Sequence, residues 1–139
     1  MRNRLAWGYM IGVSDMIIQL KLADRAHLDT ARLSEIVARL GPRGAEDMIS
    51  RAMEDLAVQL AKVHRAFARG NLHEVAFATK QVEVLAHRMG MPDVARVARD
   101  VVALSTRGDA TAISATVARL GRIGESSLME VWDVQDLSG

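Results

Sequence analysis

The sequence predicts an all-α protein: an up-and-down antiparallel four-helix bundle with a short extra helix and an N-terminal segment packed on it. Three observations carry this expectation. From residue 30 onward, apolar residues recur at alternating spacings of three and four, the repeat of a helix with one buried face. Gly41-Pro42, Gly70-Asn71, Gly90-Pro92 and Gly108-Asp109 interrupt that repeat, so the connections are short and consecutive helices should run antiparallel. Two prolines and five aromatic residues argue against a strand-rich sandwich.

Taken in order, the elements have separate warrants. Asp29 is placed to cap a short helix over 30–40, with Leu33, Ile36, Val37 and Leu40 on one face. Gly41-Pro42 stops it. A long helix follows over about 45–69, carrying Ile49, Met53, Leu56, Leu60, Val63 and Phe67 as one continuous stripe. Asn71 and Glu74 then form an N-x-x-E arrangement close to a capping box. The third helix places Leu72, Val75, Thr79, Val82, Ala86 and Met89 inward and ends at Gly90, with Pro92 just beyond. Pro92 or Asp93 opens a fourth helix, with Val94, Val97, Val101 and Leu104 inward. After the Gly108-Asp109 break, a last helix carries Ile113, Val117, Leu120, Ile123 or Gly124, and Leu128. The period fades from Trp132 to Gly139, so this end is expected to fray.

The 139 residues amount to one domain. The expected division is an N-terminal segment at 1–27 packing on the bundle, the helical bundle at 28–131, and a C-terminal tail at 132–139. Within the first segment, Met10 to Ala23 fits a helix starting near Ser14 or Asp15, although Ile18, Leu20 and Leu22 also alternate as in a strand. Arg2 and Arg4 before the apolar run Leu5 to Val13 resemble the start of a signal peptide. Gly8, Gly12 and Asp15 interrupt the run, and no small-x-small cleavage site follows. The run is also shorter than the about 20 residues a bilayer span needs. A cytoplasmic location is expected.

Composition narrows the function. Eighteen basic and seventeen acidic residues leave a net charge of +1, which gives no general reason to bind nucleic acid or an anionic membrane. Arg96 with Arg99 and Arg119 with Arg122 form two i,i+3 pairs, but Glu125, Glu130, Asp133 and Asp136 balance them. With no cysteine, there is no disulfide, thiolate metal site or cysteine nucleophile. His27, His64, His73 and His87 lack ligand spacing: His73 and His87 lie fourteen residues apart, about 21 Å along a helix. No His-x-x-x-His or Glu-x-x-His pair, phosphate loop or Gly-x-Ser-x-Gly elbow occurs, so no metal, cofactor or catalytic residue is expected. The eight methionines suit core gaps better than a binding groove.

One face of the third helix departs from the ordinary pattern. At about 100° per residue, His73, Phe77, Val84 and His87 fall within about 60° of Lys80, away from the inward stripe. Two sizeable apolar residues therefore flank a lysine where a solvated face would be polar. Such a face is either a partner surface or one covered by the N-terminal segment or by a second copy in a homodimer.

Over roughly residues 28–129 the chain resembles a histidine phosphotransfer (HPt) domain, the four-helix module of multistep phosphorelays. The likeness lies in the short helix ending Leu40-Gly41 and the long helix ending near Gly70-Asn71. It also lies in the close Met89-Gly90-Met91-Pro92, similar to the family's Leu-Gly-x-x, and in the Gly108-Asp109 break. The family's motif is His-x-x-Lys-Gly-Ser/Thr, with its histidine ten residues before the closing glycine. Counting back ten from Gly90 reaches Lys80. Glu83 then stands at the motif's lysine, Val84 at its glycine and Leu85 at its hydroxyl residue; Ala86, one further on, matches the family.

On this register the resemblance implies an HPt fold without its phosphoacceptor. It implies a non-catalytic module binding a response-regulator receiver or a histidine kinase through His73, Phe77, Lys80, Glu83, Val84 and His87. A lysine ammonium cannot accept and return a phosphoryl group as a neutral imidazole does. It can pair with the acidic pocket of a receiver. A rival register, Ala86-His87-Arg88-Met89-Gly90, looks like the family's Ala-His-x-Leu-Lys-Gly with one residue deleted and makes His87 the phosphoacceptor. Against it, His87 falls in the last helical turn, where terminal carbonyls repel phosphate. A structural or homodimerising module with no phosphorelay role is the third alternative.

Overall fold

The computed structural model describes residues 29–138. Among these, four helices and no strands occur: α1 (Thr30–Ala68), α2 (Leu72–Met89), α3 (Pro92–Arg107) and α4 (Ala110–Ser138). The readings for the 1–27 segment, including a helix near Ser14 or Asp15, fall outside the described residues.

Helix α1 is two helices joined at a kink. Gly41 has φ 76° and ψ 167°, a conformation open in practice only to glycine, and Pro42 follows it. The break stands where the sequence places it, although helical structure resumes at Pro42 rather than near Ala45, because proline suits the first turn of a new helix. The other three breaks also carry a positive-φ glycine: Gly70, Gly90 and Gly108. At Gly90 the Met91 N–H donates to the Ala86 carbonyl at 2.8 Å and the Gly90 N–H to that of His87 at 3.1 Å. The same pair recurs at Gly70, from Asn71 to Ala66 and from Gly70 to Phe67. Each is a left-handed closure that satisfies carbonyls left over at the helix end.

Helix starts follow the expected caps. Asp29 Oδ1 accepts from the Ala31 N–H at 2.9 Å, Asn71 Oδ1 from Glu74 at 3.1 Å and Asp109 Oδ1 from Ala112 at 3.1 Å. The second half of the capping box is absent. Glu74 Oε2 instead accepts from Arg69 Nη2 at 2.8 Å, because the left-handed turn between the helices brings that guanidinium within reach.

The stripes meet in one core. Leu33, Ile36, Ile49, Met53, Leu56, Leu60 and Val63 of α1 are buried with Val75, Val82, Ala86 and Met89 of α2, Val94, Val97 and Val101 of α3, and Ile113, Val117, Leu120 and Leu128 of α4. Val37, Phe67, Leu72, Leu104 and Ile123 pack against this core from its margin. Leu40 corrects the sequence reading: it is 47% exposed rather than buried, at the surface one residue before the Gly41 kink, beside Met48 and Arg88. Residues 132–138, expected as a tail, continue the helical backbone of α4.

Helices α1 and α2, α2 and α3, α3 and α4, and α1 and α4 pack against each other. The α1–α4 seam is close: a Cβ at Gly124 would lie 2.7 Å from Leu60 Cδ1, and one at Gly121 2.6 Å from His64 Nε2. Residues 29–40 cap the far end of α2. The Asp29 N–H donates to the Gly90 carbonyl at 2.7 Å, and Arg32 Nε to the Arg88 carbonyl at 2.8 Å. These contacts satisfy acceptors at the negative end of that helix.

Candidate interaction face

Among the described residues, helix α2 is held on two sides, by α1 and α3, and no helix packs on its third side. Its buried residues are Val75, Ala78, Thr79, Val82, Ala86 and Met89. The remaining arc carries the face expected from the sequence. Phe77 is 68% exposed and Val84 49%, and His73, Lys80 and His87 are exposed beside them. An exposed phenylalanine keeps its apolar ring in water, a cost that a partner surface relieves.

Glu83 sits apart from the other five. Its side chain is only 24% exposed, and Oε2 lies 3.9 Å from Arg99 Nη1 of α3. It marks the α3 edge of the face, while Phe77 marks the α1 edge. The face therefore presents Phe77, Lys80 and Val84 in its middle turns, with a histidine at either end.

His87 occupies a different setting. It lines a crevice with Asp29, Arg32, Glu35, Gly90, Met91 and Pro92, where residues 29–40 meet the end of α2. Arg32 Nη1 donates to Glu35 Oε1 at 2.6 Å in this crevice. The imidazole is exposed and lies in the last turn, as the rival register requires and as the argument from terminal carbonyls assumes.

A second feature adjoins Phe77. Between α1 and α2 runs an open groove of about 640 Å³, lined on the α1 side by Lys62, Arg65 and Arg69 and on the α2 side by Phe77 and Gln81. The cations at 62, 65 and 69 share one helical face, a pattern visible in the sequence. Sequence reasoning missed them because only the tertiary fold shows that this face of α1 borders Phe77. Among the described residues no group of three or more histidine, aspartate or glutamate side chains could hold a metal ion. No described helix is long and apolar enough to cross a membrane.

The chain matches no family model, no curated protein and no solved structure.

Proposed function

We propose that this chain is a non-catalytic, HPt-like signalling module: an up-and-down antiparallel bundle in the cytoplasm that modulates a two-component phosphorelay. It binds a response-regulator receiver or a histidine kinase through α2 and needs no cofactor. The observation that carries this reading is the exposed triad Phe77, Lys80 and Val84. These residues sit on successive turns of the helix that resembles the family's phosphoacceptor helix, with Lys80 ten residues before the left-handed Gly90.

In this reading Lys80 takes the place of the phosphohistidine. Its ammonium pairs with the carboxylates of a receiver's phosphorylation pocket while Phe77 and Val84 supply apolar contact. The complex forms and no phosphoryl group moves, so the module sequesters its partner.

The purified protein, incubated with the receivers and kinases of its own organism, should retain at least one of them and acquire no acid-labile phosphohistidine. Phe77→Ala should weaken that retention by more than about 1 kcal/mol, as truncated interface anchors commonly do. Its melting temperature should stay near that of the wild type, because the ring contributes little to the core. Lys80→Glu should weaken it by repulsion, and added salt should act in the same direction. The exposure of His87 supports the rival, active reading. Label that appears on the wild type and vanishes in His87→Gln would establish that reading in place of the first.

A further inference from the structure

We infer that the groove between α1 and α2 seats an acidic, amphipathic helix of the protein partner, with Phe77 as the apolar anchor and Lys62 and Arg65 as the residues that select its charge. This inference rests on the reading of α2 as a docking face and adds to it a second wall and a chemical preference.

The charges of the groove are unequal. Among the described residues three cations line it and one carboxylate, Glu74, which Arg69 engages at 2.8 Å. That leaves Lys62 and Arg65, both exposed, with no ion pair among the described residues. Two like charges three residues apart on one helix repel each other mildly. An incoming carboxylate removes that repulsion and gains a charge-assisted hydrogen bond, bidentate at the guanidinium.

The shape fits a helix. The α1 wall runs from Gln59 to Arg69, which at 1.5 Å per residue is about 15 Å or nearly three turns. Phe77 stands at the opposite edge, where an apolar side chain from the same incoming helix would cover its ring. A helix with carboxylates along one flank and leucines beside them meets both walls at once, in the manner of helix-in-groove recognition. Gln59 and Gln81 add neutral donors and acceptors at the rim.

A short fluorescent peptide of designed amphipathic sequence, with leucines on one face flanked by glutamates, is the probe. Its counterpart carries lysines in place of the glutamates. Anisotropy should show the acidic peptide binding the wild-type protein and the basic one failing to bind. The double variant Lys62→Glu/Arg65→Glu should weaken the acidic peptide by about tenfold or more, and Phe77→Ala should weaken it by about fivefold or more. Circular dichroism should give the same helix content for all three proteins. Equal binding of the two peptides, or wild-type affinity in the double variant, overturns the inference. So does tighter binding of an oligothymidylate than of the acidic peptide, which would make the groove a nucleic-acid site. Self-association of the protein alone that Lys62→Glu/Arg65→Glu abolishes also overturns it, assigning the groove to a second copy.

The two readings fail separately. A receiver retained equally by wild type and double variant removes the groove and leaves the phosphorelay module. Acidic-peptide binding with no receiver or kinase retained removes the phosphorelay and leaves the groove.

Discussion

Phe77 and Thr79 lie two residues apart on α2 and occupy opposite environments. The phenylalanine is exposed and the threonine is fully buried. Helical spacing accounts for both, since two residues turn the helix by about 200°. The polarity is inverted at each: the apolar ring is exposed, and the Thr79 hydroxyl is buried with no hydrogen-bond partner among the described residues. The two inversions differ in consequence. Exposing Phe77 leaves an apolar surface of the kind that a partner would cover. Burying an unpaired hydroxyl costs roughly 1–3 kcal/mol in the folded state, and no feature of the structure repays it. Thr79→Val keeps the branched shape and removes the unpaired oxygen. It should therefore stabilise the protein by about 1 kcal/mol, read as a higher denaturation midpoint at an unchanged denaturant slope. A loss of stability would mean that the hydroxyl has a partner in solution.

At the scale of the element, the four breaks were legible because each rests on local chemistry: a glycine that adopts positive φ, followed by a residue that caps or opens the next helix. The inward stripes were legible because a helix repeats its faces on a fixed angle. Leu40 and Glu74 were misread because helical periodicity and cap pattern do not register what the adjacent break does to the chain direction. Leu40 stands one residue before the Gly41 kink and is left half-exposed, and Glu74 meets a guanidinium across the Gly70 turn. Gly90 combines both kinds of constraint. It needs its left-handed backbone, and a Cβ there would stand 2.8 Å from Arg32 Cβ, in the segment that caps α2. Gly108 has φ +72° and open space around it. Gly108→Ala should therefore cost only the backbone term of about 1–2 kcal/mol. Gly90→Ala should cost that and more, because Arg32 must move and its bond to the Arg88 carbonyl is strained or lost. Paired urea titrations of the two variants give the difference. Equal losses would show that residues 29–40 are not docked tightly on α2.

For the whole molecule, the exposed face of α2 was legible, whereas the groove beside it was not. Lys62, Arg65 and Arg69 are visible as a basic row, yet nothing local tells which helix that row borders. Helix α1 packs against α2 and α4 and so belongs to both the groove and the seam. Two glycines on α4 set the approach of that seam, with different partners. Gly121 faces the His64 ring, whose residue is exposed and can swing outward, whereas Gly124 faces Leu60, held in the core at 4% exposure. An alanine at either position gains up to about 1 kcal/mol of helix propensity over glycine. At 121 that gain should survive, because the imidazole yields into solvent. At 124 the added methyl meets a side chain with nowhere to go, and overpacking of this kind costs about 1–3 kcal/mol. Gly124→Ala should therefore fall below Gly121→Ala by at least about 1 kcal/mol and below the wild type. If the two alanine variants prove equally stable, the α1–α4 seam is looser than the structure places it, and the position of α1 beside Phe77 must be reconsidered with it.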